Sequence, residues 1–317
     1  MFEVRSLKLT AGDRLESNLE PRLRGPKRSG AQARTSNLSE FASIGRVGEL
    51  VLGYARQEDR TVLTHSHCCS PWHFSPPIQL DDSACLYTPL VNPSGGLVGG
   101  DRLSVRATLG PDTHALFSTP SANRVYRSLG DTSVQSIDLT VGPGACLEWM
   151  PDVTIPYAGS RFKQTIHVSL APGATALLWD AIASGRVAHG ERWAFTSLEN
   201  EIRIVTAPGR SMAERYALAP AGHGVGRAAN WDYVGSLYLI GDGVDAERWN
   251  HLEARLAAIL DARPGVVLGG VSEPAAPGLA VKLVAKSAPD LSDTLDELWQ
   301  AIRLVLWNLP RPALRRY

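Results

Sequence analysis

Residues His65 to His73, read as HSHCCSPWH, hold three histidines and two cysteines. His65, His67, Cys68 and Cys69 offer imidazole nitrogen and thiolate sulfur, borderline and soft donors that suit nickel, zinc or copper. Along a strand alternate residues share a face, so His65, His67 and Cys69 would point the same way. The segment lacks the paired spacing of a structural zinc site, and His and Cys also pack in β cores. A strand or turn with no metal is therefore the competing reading.

NPSGGLVGGDRL, from Asn92 to Leu103, places Gly95, Gly96, Gly99 and Gly100 ahead of Asp101 and Arg102. A phosphate loop needs Lys followed by Ser or Thr and then a helix, and a dinucleotide fingerprint needs G-x-G-x-x-G opening a helix. A strand follows here instead, so the glycines read as a turn or bulge with close backbone approach. Glu148 and Asp152, on either side of Trp149, Met150 and Pro151, could form an acid/base pair. Four residues along a strand that ends at proline is a poor spacing for one. No G-x-S-x-G elbow occurs, and the remaining histidines, His114 among them, are scattered.

The elements that must position these groups are mostly strands. In RLSVRATL one face carries Leu103, Val105, Ala107 and Leu109; Ile137, Leu139 and Val141, and then Ile166, Val168 and Leu170, repeat the pattern. TLGPDTHALF, TVGPGACLEW and SLAPGATALL form a weak internal repeat around Pro111, Pro143 and Pro172, spaced 143 − 111 = 32 and 172 − 143 = 29, with TAPG at Pro208 as a fourth copy. Each reads as a hairpin-like turn between two strands. The near-constant period predicts stacked layers in a solenoid-like or elongated β fold, with an ordinary sandwich as the alternative. After Gly243 the periodicity becomes helical. Trp249, Leu252, Leu256, Ile259 and Leu260 form one stripe near 245–262, and Leu295, Leu298, Trp299, Ile302 and Leu306 another near 290–309, with a strand, LAVKLVAKS, between them. The expected class is mainly β with two α-helices near the C-terminus.

The chain has 317 residues and balances 32 Lys plus Arg against 32 Asp plus Glu, so no global basic field announces a nucleic-acid partner. Residues 1–46 carry nine Lys or Arg against five Asp or Glu and few large apolar side chains; 1–44 reads as a basic, disordered arm ahead of a single β-rich domain over 45–317. No secretory signal or apolar run of membrane-spanning length appears, which predicts a soluble cytoplasmic protein without membrane contact. Four cysteines in so long a chain predict reduced thiols.

LVNPSGGLVGGDRL, STPSANRVYRS (Ser118 to Ser128), LEWMPDVTIPYAGSRFKQ (Leu147 to Gln164) and GRVAHGERW (Gly185 to Trp193) resemble, in order, the signatures of the urease accessory protein D family, also called H. The likeness runs from about Gly45 to the C-terminal LPRPALRRY. It implies a non-enzymatic assembly factor that binds urease apoprotein and joins the F protein and the GTP-hydrolysing G protein to help install nickel. It also implies an elongated β-helical fold and an internal water-filled passage, with nickel in transit and no tightly bound cofactor. The matching positions are Asn92, Pro93, Gly95, Gly96, Gly99, Gly100 and Asp101; Thr119, Pro120, Arg124, Tyr126 and Arg127; Glu148 and Pro151; and Gly185, Arg186, Gly190 and Glu191. Asp101, Arg124 and Glu148 are expected to border the passage or the joint with the F protein, or else to pin the glycine turn by an ion pair. Two other readings stay open: a metal-dependent enzyme using His65, His67 and Cys69, and a metal-free β scaffold.

Overall fold

The computed structural model describes residues 45–223 and 230–314; the expected arm over 1–44 lies outside them. Its β1 (Val47–Gln57) is followed by β2 (Arg60–Cys68), β3 (Ile78–Gln79), β4 (Cys85–Pro89) and β5 (Gly96–Leu97). The next coil runs through β6 (Arg102–Leu109), β7 (His114–Ser118) and β8 (Asn123–Val125), and a further one through β9 (Ser133–Val141), β10 (Cys146–Met150) and β11 (Thr154–Pro156). Then come β12 (Arg161–Leu170), β13 (Thr175–Ala183), β14 (Ser197–Thr206), β15 (Ser211–Leu218) and the single turn α1 (Pro220–His223). β16 (Tyr233–Gly241), α2 (Ala246–Asp261), β17 (Val267–Ser272), β18 (Gly278–Ala285) and α3 (Ala288–Trp307) complete the chain. No helix among the described residues is long and apolar enough to cross a membrane.

The protein is mainly β, a solenoid of about four turns with two helices near its C-terminus. One sheet stacks β1, β6, β9, β12 and β14 in parallel, with antiparallel β2 and β15 at its edges. The other stacks β4, β7, β10 and β13 in parallel and continues antiparallel through β16, β18 and β17. The proline spacing is the coil length. Arg102 pairs with Val134, 134 − 102 = 32, and Ser133 with Phe162, 162 − 133 = 29. The turns themselves correct the expectation. Those at Pro111, Pro143 and Pro172 carry the chain from one sheet to the other, whereas only the turn after Pro208 closes a hairpin, β14 to β15. A Pro-Gly turn read from sequence has the same chemistry in both settings, because the strand it leads into decides the pairing.

Two cores result. Alternate residues of both sheets fill the coil: Leu103, Val105 and Ala107 face Ala115, Phe117, Leu147 and Leu178. On the far side of the second sheet, Leu116, Met150, Leu177 and Trp179 pack beneath Leu252, Leu256 and Leu260 of α2 and Leu295, Leu298 and Ile302 of α3. Each such side chain contributes about 1.5–3 kcal/mol through apolar burial. Asp245 caps α2 by accepting the Arg248 amide, and Ser287 caps α3 by accepting that of Asp290. Asn308, at φ 51°, ends α3 in the left-handed conformation. Burying β10 on both faces is what makes a charged residue there consequential.

Candidate functional site

The glycine segment forms a turn gripped from three sides. Asp101 is buried, and its carboxylate accepts the amides of Arg46 and Val98, each at 2.8 Å. These are backbone donors, so the clamp is not the ion pair offered by the sequence. The Gly95 carbonyl accepts from Tyr126 OH at 3.3 Å and from Arg124 Nη1 at 3.4 Å. At Gly96 a side chain would put its Cβ 2.9 Å from the Arg124 Cβ and collide with that residue's carbonyl oxygen. Asn92 Oδ1 accepts the Ser94 amide at 3.1 Å, and Gly99 packs against Ser128. Pro93 lies in the same turn. The fourth signature is also a brace: the Arg186 guanidinium lies 4.5 Å from the Tyr157 ring centre and its Nε donates to Glu191 at 2.8 Å.

Asn92, Gly95 and Gly96 line a partly open cavity of about 60 Å³ together with Thr119, Asn123, Gln135, Gln164, Asp152 and Asp180. At about 15 Å³ per water centre that is space for roughly four waters. Trp72 and Trp149 line it too, and the buried indole N–H of neither reaches an acceptor among the described residues. Buried donors of this kind are met by water or a polar guest.

A polar row leads out of this cavity. Gln135, Gln164, Asn200 and Tyr216 are successive register partners on the inner face of the first sheet. Asn123 Nδ2 donates to Gln135 at 3.4 Å and Gln135 Nε2 to Gln164 at 3.5 Å. Gln164 Nε2 donates to Asp180 at 2.9 Å, and Asn200 Nδ2 donates to Asp180 at 2.8 Å and to Tyr216 at 3.0 Å. Burial pushes the Asp180 carboxyl above its ordinary range, against those hydrogen bonds and the charge of Lys282. Tyr216 opens onto a second cavity, about 400 Å³, lined also by Trp193, Glu214, Ser236 and Lys282. There burial draws the Lys282 ammonium down to about 8, outweighing the attraction of Asp180. Sequence reading missed this row, although a signal existed. The polar residues interrupt the inward apolar alternation at the coil spacing, 164 − 135 = 29 and 200 − 164 = 36, the latter equal to 208 − 172 for the prolines.

Glu148 stands elsewhere. It faces the helices on the opposite side of the second sheet, fully buried, and lines neither cavity. His114 Nε2 lies 2.6 Å from its Oε1, and both Arg303 Nη1 and Trp299 Nε1 donate to the carboxylate. Burial works to raise the Glu148 carboxyl, yet His114 and Arg303 hold it below its ordinary value. Burial likewise works to lower the His114 imidazole, while Cys85 and Glu148 drive it well above its ordinary value. Cys85 Sγ, His114 Nε2 and a Glu148 oxygen lie within 4.8 Å of one another, a ligand-type set. Its carboxylate already accepts from His114, Arg303, Trp299 and, at 3.8 Å, the Cys85 thiol, and the Arg303 charge repels a cation, so the residues fit a structural lock and not a metal centre.

His65, His67 and Cys69 are exposed at the edge strand β2 and just beyond it. His67 Nε2 lies 3.3 Å from Cys69 Sγ; His65 is set opposite Gly53. Asp152, far from pairing with Glu148, borders the first cavity, and its amide donates to Thr119 Oγ1 at 2.8 Å.

The sequence profile of the UreD urease accessory protein family matches residues 46–316. Relatives named urease accessory protein UreD include one from Haloarcula marismortui, 31% identical over 87% of this chain and 92% of its own length. Another, from Herpetosiphon aurantiacus, is 31% identical over 83% and 95%, and a third, from Cupriavidus necator, is 28% identical over 84% and 92%. With a match this long, a coiled β architecture and three of the four signatures contributing to the lining of one cavity, the chain belongs to the UreD family of urease accessory proteins.

Proposed function

We propose that this chain takes part in urease maturation as a non-catalytic conduit, binding urease apoprotein and the F and G proteins while nickel passes along its interior to the enzyme. One observation carries the reading: the row Gln164, Asp180, Asn200 and Tyr216 joins two cavities through an otherwise apolar coil. Amide, hydroxyl and carboxylate oxygens suit a divalent ion that moves on, because neutral oxygens bind it weakly and Asp180 supplies a single charge. Asp152 gives it a further carboxylate at the first cavity, and at the second Glu214 becomes available once it exchanges its Lys282 and Tyr238 partners for the ion. Nickel is cargo here and no resident cofactor is invoked. The sequence carries no phosphate loop, which accords with GTP hydrolysis residing in the G protein.

Coexpression with the urease structural subunits and the F and G proteins tests the reading. The chain enters one complex with them, and urease activity in nickel-containing cells depends on its presence. Equal urease activity without it would refute the role.

A further inference from the structure

Cys69 and Glu49 face each other across the edge of the first sheet. Cys68 pairs with Leu50, and the Cys69 amide donates to the Glu49 carbonyl at 2.7 Å, which extends that register by one residue. Directly opposed side chains have Cβ atoms about 4.5–5.5 Å apart. His67, two residues earlier and opposite Val51, shares their face. Its Nε2 sits 3.3 Å from Cys69 Sγ and 3.9 Å from Glu49 Oε2. One ion with metal–nitrogen and metal–sulfur bonds of about 2.0 and 2.3 Å in tetrahedral geometry sets those two donors roughly 3.5 Å apart. The pair is therefore spaced for a shared cation before any ion arrives. All three side chains are accessible, His67 at 53% and Glu49 at 32%. Cys68, the adjacent thiol, does not compete, since its Sγ turns to the Trp72 carbonyl at 3.3 Å.

We propose that His67 and Cys69 form a surface site for a borderline divalent cation, completed by Glu49 as its carboxylate swings from Arg106 toward the ion, with the remaining coordination positions open to solvent or a partner. The choice of nickel as the ion rests on the maturation reading above. Binding releases the Cys69 thiol proton to solvent and forms the metal–sulfur bond. The Glu49 carboxylate, now paired with Arg106, exchanges that partner for the ion; Arg106 is 55% exposed and swings into water at little cost. Placement adds a reason for the site. Cys69 opens the turn whose Trp72 amide donates back to the Cys69 carbonyl at 3.2 Å, and Trp72 lines the first cavity. An ion held there waits one turn from the interior wall.

The test is titration of nickel chloride into the tag-free full-length chain, followed by thiolate-to-nickel charge-transfer absorption and calorimetry. The wild type takes up one equivalent with the absorption band. Cys69→Ser abolishes the band, and His67→Ala and Glu49→Gln weaken binding at least tenfold. Arg106→Ala tightens it, while Cys68→Ser and His65→Ala leave it unchanged. No band in the wild type, a band that survives Cys69→Ser, or a tenfold loss with His65→Ala would each overturn the assignment. The readout is the metal–sulfur bond in the isolated chain, so its failure and a failure of urease activation are separate results.

Discussion

Replacing Arg303 by methionine keeps most of the side-chain volume and removes the cation that answers Glu148 beneath α3. Arg303 and Glu148 are both fully buried and joined by a direct ion pair. Breaking such a pair strands a charge in low dielectric and costs about 3–5 kcal/mol. His114 still answers part of that charge, which places the loss toward the lower bound. At about 2 °C per kcal/mol for a chain this large, the melting temperature falls by roughly 6 °C or more. Calorimetry or urea unfolding of the purified variants reads this directly. Glu148→Gln in the Arg303→Met background restores stability, because the stranded charge is gone, and the double mutant unfolds well above the sum of the single losses. The pH profile follows from the two shifts. The folded Glu148 carboxyl lies below its ordinary value, so its contribution is whole above about pH 4.3 and is lost as pH falls through the lower folded value. The folded His114 imidazole lies well above its ordinary value, so its contribution is whole below about pH 6.5 and is lost as pH rises through that raised value. Stability thus has a plateau between the two, and the wild-type advantage over Glu148→Gln shrinks in acid. An Arg303→Met variant within 1 kcal/mol of wild type, or strictly additive losses, would refute this account of the lock.

Gly96→Ala, which forces a Cβ against Arg124 at a left-handed φ of 158°, lowers the melting temperature, whereas Gly130→Ala, with nothing within 4 Å of its Cβ, leaves it unchanged; thermal unfolding compares them. Asp101→Ala unseats the amides of Arg46 and Val98 and costs about 2 kcal/mol, measured by urea unfolding, without loss of any cavity-lining side chain. Gln164→Leu severs the row between Gln135 and Asp180 yet fits an apolar coil, so copurification with urease is retained while urease activation falls at least tenfold.

Much of the coil was legible because a solenoid repeats its turn chemistry. The 32- and 29-residue proline spacings equal the register offsets, and both late helices lie within a few residues of their expected bounds. β17 was not foreseen, since VLGGVS carries two glycines and too little alternation to stand out. The hairpin reading failed because local turn residues do not encode which sheet receives the next strand. Glu148 was singled out as a family position, but its partners lie 34, 63, 151 and 155 residues away on β7, β4 and α3, a convergence no local pattern carries. The interior row was within reach. Gln135, Gln164 and Asn200 occupy inward strand positions whose neighbours are Ile, Val and Leu, and a polar residue there at every coil is costly without partners.

The central claim, that the coil's interior hands nickel to urease, is tested most directly by the nickel content of urease purified from the complete complex carrying Asp180→Asn. The substitution keeps the size of the side chain and removes the single charge on the row, while turning one of the two oxygens that accept from Gln164 and Asn200 into a donor. The account predicts that the complex assembles with every component while its urease remains largely nickel-free and inactive. Urease loaded to the wild-type level from that same complex would contradict it.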